Sequence, residues 1–390
     1  MNDSVKTYGV NKLLMLSTLV LMCLGCVVVY TASTTHALKL GLTPEHYLKA
    51  HCWKVVVALA AMFVASKVDY AVWKKGARVI FIIGCVLTLA AIVAGGDVKG
   101  ASRWIWGIQP SEILKLGLIT MVATKLSEAG TEIRTLKCSV VQPGVPFAIS
   151  ALLLALQPNF SMLILFAGIT FVVLLVAGAR LKYLMPVLGG GALLGVIVLL
   201  IKSHTSKRIA AFFDPNANQI SAMQGERALE ALGNGGVFGT GIGMGMQKLG
   251  YLPEAHKDVV YAVIGEEMGF VGTFLILALF GCLFYQGFEI ARHSSTRFGK
   301  YMAVALTTSL FLNFLVHVCV CTGLFPTTGQ PLPFLSFGGT NLIFSGLFVG
   351  ILLNISKSGT GKKIVEPYMS GCESSAARTF SGFDFVRTEE

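Results

Sequence analysis

Charged side chains are scarce in this 390-residue chain, in which 13% of the residues are charged and 54% are hydrophobic. About a quarter of the residues in a soluble domain are charged, so the balance excludes an ordinary soluble protein. The Lys and Arg residues lie mostly between apolar runs, where positive charge sets membrane orientation. The net charge of +11 therefore does not indicate nucleic-acid binding. Phosphate-bearing lipids are the partners that we expect for the remaining basic residues.

A disulfide framework and a cleavable signal peptide are also lacking. The pairs Cys23/Cys26 and Cys319/Cys321 lie inside apolar runs, without His or Asp at ligand spacing. We interpret these cysteines as buried small hydrophobes, and the sequence predicts no metal site. The first apolar run is long enough to cross a bilayer of roughly 30 Å, so we expect it to remain as an anchor.

About ten apolar runs reach the roughly 17 to 25 residues that a membrane-spanning helix needs. They lie at 13–32, 52–69, 77–95, 111–128, 143–158, 159–177, 182–201, 259–286, 300–324 and 340–356. Gln157-Pro-Asn159 interrupts one long run, either as a kink or as a tight outer turn. The sequence predicts an all-α integral membrane protein: a polytopic bundle of about ten transmembrane helices over 1–356, followed by a polar cytoplasmic tail over 357–390.

Six basic clusters alternate with these spans and place both termini in the cytoplasm. They are Lys6/Lys12, Lys67/Lys74/Lys75/Arg78, Lys125/Arg134/Lys137, Arg180/Lys182, Arg292/Arg297/Lys300 and Lys357/Lys362/Lys363. The opposite face carries one large extracytoplasmic loop, 202–258, between spans 7 and 8. Within it, 220–232 is predicted as an amphipathic helix with Glu226, Arg227 and Glu230 on its polar side.

A glycine-rich run, Gly233 to Gly245, follows that helix, with Lys248 just beyond it. It lacks the Gly-Lys-Ser/Thr ending and the preceding strand of a nucleotide-binding phosphate loop. We interpret it as a pliable loop over a membrane-level groove. Its backbone amides could still contact a pyrophosphate.

Polar groups at the ends of apolar runs are the candidates for a site, because ionisable residues at membrane depth are costly and usually functional. In the segment 99–115, Ser111 is a candidate helix N-cap. Glu112 and Lys115 are i, i+3 neighbours that can pair, as a structural ion pair or as substrate contacts. Arg103, beside Trp104, is either an interfacial anchor or a fork donor to phosphate.

Two further segments carry polar groups. Glu254, His256, Lys257 and Asp258 directly precede the eighth span, with Glu266-Glu267 two turns inside it. The segment 323–340 holds three prolines and four glycines, and irregular backbone at membrane depth must be buried in protein or line a cavity. It therefore predicts a site or a helix-packing corner. His317, within the ninth span, is expected to be a hydrogen-bonded interior residue.

At these residues the chain resembles the SEDS (shape, elongation, division and sporulation) family, the FtsW/RodA-type membrane proteins. The matching motifs are Arg103-Trp-Ile with Gln109-Pro-Ser-Glu-Ile-Leu-Lys115, then Leu252-Pro-Glu-Ala-His-Lys-Asp258 with its continuation to Gly269, then Pro326-Thr-Thr-Gly-Gln-Pro-Leu-Pro-Phe-Leu-Ser-Phe-Gly-Gly339. Arg208 to Pro215 resembles the family's opening of the large loop. The segment Met246-Gln-Lys-Leu resembles the division branch, typified by FtsW, more than it resembles RodA.

The resemblance implies a peptidoglycan glycosyltransferase of the inner cell membrane that polymerises lipid II during division, with undecaprenyl diphosphate as leaving group. The family's required Asp corresponds to Asp258, and a general base is worth about 10²–10⁴-fold in rate. A divalent cation, Mg²⁺ or Mn²⁺, is the one candidate cofactor. Expected partners are a class B penicillin-binding transpeptidase and other divisome membrane proteins. Substrate contacts are predicted for Arg103, Glu112, Lys115, Lys248, Glu254, His256 and Ser336.

Five residues differ from those usual in the family and concern the substrate pocket: Asn159, Ser161, Arg227, Lys257 and His317. Two other functions fit the same spans and cationic outer groups. One is a flippase for lipid-linked oligosaccharides, which needs no bond chemistry. The other is a non-catalytic scaffold of the division machinery.

Overall fold

The computed structural model describes residues 11–94, 104–105, 107–185, 219–246 and 256–358. In these ranges the protein is helical, and one isolated bridge, Ile105 to Ile108, is the only β pairing. The predicted all-α class is confirmed. The helices are α1 (Lys12–Lys39), α2 (His46–Lys67), α3 (Tyr70–Ala94), α4 (Pro110–Ala129), α5 (Gln142–Leu156), α6 (Phe160–Ala177), α7 (Gln219–Gly235), α8 (Val260–Arg292), α9 (Arg297–Cys321) and α10 (Gly339–Ser358).

Eight of the described helices, all but α4 and α7, are long and apolar enough to cross a membrane, with α5 counted together with the π-helical turn Lys137–Val141 that precedes it. Helix α4 coincides with the predicted fourth span but carries four charged side chains. It packs against α3, α5, α6 and α9, which screen it. The predicted seventh span lies mostly outside the described residues, so the count of ten stays a prediction. Large apolar side chains such as Trp53, Phe63 and Val93 face outward on α2 and α3, as expected of a multi-pass membrane protein.

Helices α2 and α10 pack with their backbones in close contact. A β-carbon on Gly346 would stand 2.6 Å from the carbonyl oxygen of Ala58, and one on Gly350 would collide with that of Met62. Small residues permit this close approach in membrane helices. The N-terminal part of α2 is thereby fixed beside the start of α10.

Two predictions about connections are resolved. Gln157 to Asn159 form a tight turn between α5 and α6 rather than a kink within one helix. Helix α7 confirms the amphipathic helix of the large loop, with Ala228 and Ala231 buried and Glu226 and Glu230 exposed.

Helix α8 is broken at Gly269, whose φ of 64° and ψ of −161° are not helical. The glycine-rich segment 236–246 packs into this break. The amide of Thr240 donates to the Glu266 carbonyl at 2.9 Å, and that of Phe270 donates to the Gly236 carbonyl at 2.9 Å. The run predicted as pliable is therefore held to α8 by main-chain hydrogen bonds.

Candidate functional site

An irregular loop, residues 322–338, connects α9 to α10 and enters the bundle. The Phe334 carbonyl oxygen would collide with a β-carbon on Gly25, which lies midway along the 28-residue α1. Leu332, Phe334 and Leu335 are buried. The expectation that irregular backbone at membrane depth would be buried in protein is confirmed. We refer to residues 322–338 as the re-entrant loop.

Asp258 lies just before the N-terminal end of α8 and is partly buried. The helix begins at Val260 with Val259 as its N-cap, so Asp258 precedes the capping position. A β-carbon on Gly329 would lie 3.6 Å from the Asp258 Oδ2 atom. The Phe337 amide donates to the His256 carbonyl at 2.9 Å. Residues 256–258 and the re-entrant loop therefore form one wall of the site.

His317 fixes this arrangement from α9. Its Nε2 atom accepts a hydrogen bond from the Tyr261 amide at 3.4 Å, and its Nδ1 atom lies 2.9 Å from the Gln330 carbonyl oxygen. Because Nε2 accepts, the proton is on Nδ1, which donates to Gln330. The predicted hydrogen-bonded interior role of His317 is confirmed, and it joins the start of α8 to the re-entrant loop.

The His256 ring is buried among side chains from three other elements. Its centroid lies 5.3 Å from that of His36, 5.0 Å from Tyr47 and 5.7 Å from Phe337. His256 is a predicted site residue, whereas its three neighbours were not predicted. No local pattern marks them, because α1, α2 and the re-entrant loop are distant in sequence.

Glu112 and Lys115 form the predicted ion pair inside the bundle. Their charged atoms are 2.7 Å apart, and the side chains are 2% and 1% exposed. Asn341 of α10 donates to the Glu112 Oε1 atom at 3.5 Å. The prediction of Ser111 as N-cap is wrong: α4 begins at Pro110, with Gln109 as its N-cap. The pair therefore lies in the first two turns of α4, and Glu112 faces the first turn of α10.

The Ser336 hydroxyl and backbone amides of the glycine-rich segment make hydrogen bonds within the protein. Ser336 Oγ, which is buried, accepts from the Leu332 amide at 2.8 Å and so closes a turn of the re-entrant loop. The amides of Gly241 and Met246 donate to the Glu267 carbonyl at 3.0 Å and the Glu266 carboxylate at 2.7 Å. These amides are therefore committed to α8 rather than to a pyrophosphate, and the Ser336 substrate contact stays a prediction.

Three predicted site residues, Arg103, Lys248 and Glu254, lie outside the described residues. Across the part of the chain that the structure describes, no group of three His, Cys, Asp or Glu side chains is arranged to hold a metal ion. The eight cysteines in that part are free thiols. Cys321 is buried as predicted, whereas Cys23 is exposed on α1, so its predicted burial is wrong.

The protein is therefore a multi-pass helical membrane protein in which a re-entrant loop lies beside a carboxylate. The family model described as "Cell cycle protein", which covers FtsW, RodA and SpoVE, matches residues 11–361. The chain belongs to this family, and the resemblance read from its motifs is confirmed.

Curated relatives match over most of their length. The chain is 36% identical over 356 residues to the probable peptidoglycan glycosyltransferase FtsW of Trichlorobacter lovleyi, covering 89% of this chain and 93% of that protein. It is 34% identical over 363 residues to the stage V sporulation protein E of Bacillus subtilis, covering 91% and 99%. The similarity to a relative named FtsW supports the FtsW branch of the family over RodA.

Two solved structures share the fold. One comes from work described as the structural coordination of polymerization and crosslinking by a peptidoglycan synthase complex. It matches with a TM-score of 0.74 at 23% identity, covering 89% of this chain and 97% of that one. The rod shape determining protein RodA of Thermus thermophilus matches with a TM-score of 0.64 at 22% identity, covering 88% and 95%. The arrangement of helices is therefore common to the family.

Proposed function

We propose that this protein is a peptidoglycan glycosyltransferase that polymerises lipid II at the outer face of the cytoplasmic membrane during cell division. Relatives named as such enzymes at 36% and 34% identity support the class of activity. The position of Asp258, at the outer end of α8 and against the re-entrant loop, is the observation that carries the assignment to this site.

Asp258 is the general base in this proposal. A hydroxyl of the acceptor sugar attacks the anomeric carbon of the donor, and its proton passes to the Asp258 carboxylate. The new carbon–oxygen bond forms as the bond to the diphosphate breaks, and its electron pair leaves with undecaprenyl diphosphate. One such displacement inverts the anomeric configuration. Cationic groups of the outer face offset the charge that develops on the diphosphate.

The other predicted site residues have different roles. Glu112 and Lys115 are buried, so we propose that they hold α4 against α10 and thereby set the position of the re-entrant loop. The His256 ring shapes the same wall of the site through its aromatic neighbours. Arg103, Lys248 and Glu254 remain proposed contacts to the substrate, with Mg²⁺ or Mn²⁺ as a candidate ion at the diphosphate.

Polymerisation of labelled lipid II by the full-length protein and its Asp258→Asn variant tests the proposal. We expect the variant to lose at least about 10²-fold in rate, since Asn keeps the size of Asp but removes the base. Asp69→Asn is the matched control. Asp69 also precedes a helix, and its Oδ1 atom accepts from the Ala71 amide at 2.8 Å. Near-normal glycan synthesis by Asp258→Asn would show that the base assignment is wrong.

The same preparation separates the alternative functions. Glycan strands identify a polymerase, movement of lipid II across vesicles without polymer identifies a flippase, and neither outcome leaves a scaffold. The fold similarity to a member of a synthase complex supports a partner, and we propose a single-span class B penicillin-binding transpeptidase that contacts the large loop, α8 and α9. Full polymerisation without any partner, together with no co-purification, would contradict that pairing.

We further propose that the transmembrane domain covers 1–356, that the large loop at 202–258 is extracytoplasmic and that 357–390 form a cytoplasmic tail. The basic clusters between spans support this orientation. We also propose that the protein is located at the division site, which its similarity to relatives named FtsW supports. Fluorescence microscopy of a tagged protein tests this location.

A further inference from the structure

Lys54 of α2 is placed against the positive end of a helix. Its Nζ atom lies 3.6 Å from the centroid of the Phe337 ring. A β-carbon on Gly339, the first residue of α10, would stand 3.4 Å from Lys54 Cε and 3.8 Å from Nζ. A helix N-terminus carries partial positive charge and favours anions, so an ammonium group there is electrostatically unfavourable. The ring face of Phe337 offsets only part of this effect.

More basic groups surround the same point. Lys257 is close enough for its charge to repel that of Lys54. His51 lies one turn before Lys54 on the same face of α2, and its ring centroid is 6.1 Å from that of Phe337. His51 is 0% exposed, and neither ring nitrogen has a hydrogen-bond partner among the described residues. Buried polar atoms without partners are unfavourable and call for a ligand or an ordered water.

Negative charge does not balance Lys54 locally. Within the described residues, no carboxylate lies within 4.0 Å of its ammonium group. Lys49, five residues earlier on α2, differs in this respect, because it is exposed and pairs with Glu45 at 2.9 Å. An ionisable side chain at the depth of a membrane helix usually belongs to a functional site.

We propose that Lys54, Lys257 and His51 line an anion site at the start of α10 that takes the diphosphate of a polyprenyl-linked sugar donor. Phosphate oxygens accept hydrogen bonds from ammonium and imidazole groups, and the anion offsets both lysines and the helix end. Asp258 lies beside Gly329, in the middle of the re-entrant loop, whereas Lys54 contacts Phe337, near its end. An inverting displacement needs base and leaving group on opposite faces of the sugar. This inference rests on the proposed function.

Binding of undecaprenyl diphosphate to the full-length protein in nanodiscs of zwitterionic lipid tests the site without turnover. We expect Lys54→Gln to raise the Kd about tenfold or more, and Lys54→Arg, which keeps the charge, to stay within about threefold. Lys49→Gln removes a positive charge from the same helix and should change the Kd by less than about twofold. An unchanged Kd for Lys54→Gln, or an equal loss for Lys49→Gln, would overturn the proposal.

Lys257→Gln lies on a different element and provides a second variant should Lys54→Gln unfold. It should weaken binding to a similar extent, and wild-type affinity would count against the site. Competition with inorganic pyrophosphate and with phosphatidylglycerol distinguishes the sources of phosphate. Displacement by pyrophosphate alone supports the diphosphate site, whereas equal displacement by the phospholipid shows a general headgroup site and overturns the proposal.

The two proposals fail separately. A protein that binds the diphosphate through Lys54 but makes no glycan contradicts only the proposed function. A protein that makes glycan, with diphosphate binding that does not depend on Lys54, contradicts only the anion site.

Discussion

Asp258 and Gly329 face each other where the re-entrant loop meets the start of α8: a β-carbon on Gly329 would lie 3.6 Å from the Asp258 Oδ2 atom. Gly329 has a φ of 68°, a conformation that side chains other than glycine adopt with strain. Glycine at position 329 therefore lets the loop follow this path beside the carboxylate without backbone strain.

Gly329→Ala is predicted to lower polymerisation by about tenfold to a hundredfold, because relief of the strain shifts the loop relative to Asp258 and small misplacements are costly in catalysis. Initial rates with labelled lipid II measure the effect. Gly178→Ala is the control, since Gly178 has a φ of 87° but nothing within 4 Å of an added β-carbon. Equal rates for the two variants would contradict a positioning role for Gly329.

Lys115→Met is predicted to destabilise the protein by about 3–5 kcal/mol, because it leaves the Glu112 carboxylate buried without its partner. Replacing both residues, Lys115→Met with Glu112→Gln, should cost less than the single change. Unfolding in detergent, followed by circular dichroism, measures the free energies. On the same helix, Lys125 and Glu128 lie 3.9 Å apart and are more exposed, so Lys125→Met should cost less than about 1 kcal/mol.

His317→Leu is predicted to lower both stability and activity, because the Tyr261 amide and the Gln330 carbonyl lose their shared partner. Each buried group left unpaired costs about 1–3 kcal/mol. His317→Asn supplies a donor and an acceptor and should recover part of both. Thermal unfolding and initial rates measured on the same preparations check this. Indistinguishable Leu and Asn variants would argue that only the volume at position 317 matters.

Gly269→Ala is predicted to release the glycine-rich segment from α8. A β-carbon at this position would collide with the Gly239 amide and the Val237 carbonyl. Limited proteolysis should then cleave within 236–246 faster than in the wild type. Gly281→Ala, on the same helix with open space around an added β-carbon, serves as control. Unchanged cleavage in Gly269→Ala would indicate that α8 adjusts without releasing the segment.

Cysteines introduced at Glu230 and Ser358 in a cysteine-free background are predicted to react from opposite sides of the membrane. Glu230 belongs to the large loop and Ser358 ends α10. A membrane-impermeant maleimide applied to whole spheroplasts should label the first and spare the second. Labelling of both from the same side would show that the proposed topology is wrong.

The sequence by itself determined the class of protein and the local geometry. Hydrophobic length identifies membrane helices, because a bilayer core of about 30 Å needs about 20 residues of helix. The Glu112–Lys115 pair was predictable because i, i+3 residues share a helix face whatever the tertiary context. The amphipathic helix α7 follows from the same periodicity.

Only the tertiary structure decided what surrounds those elements. The break at Gly269 accommodates a segment that begins about thirty residues earlier, and no property of α8 alone predicts it. The depth of the re-entrant loop depends on its contact with Gly25 in α1. In the sequence, Lys54 is part of the predicted apolar run 52–69. Its position against Phe337 and Gly339 arises from the close packing of α2 on α10. Such contacts join segments distant in sequence, where helical periodicity carries no information, so packing alone sets them.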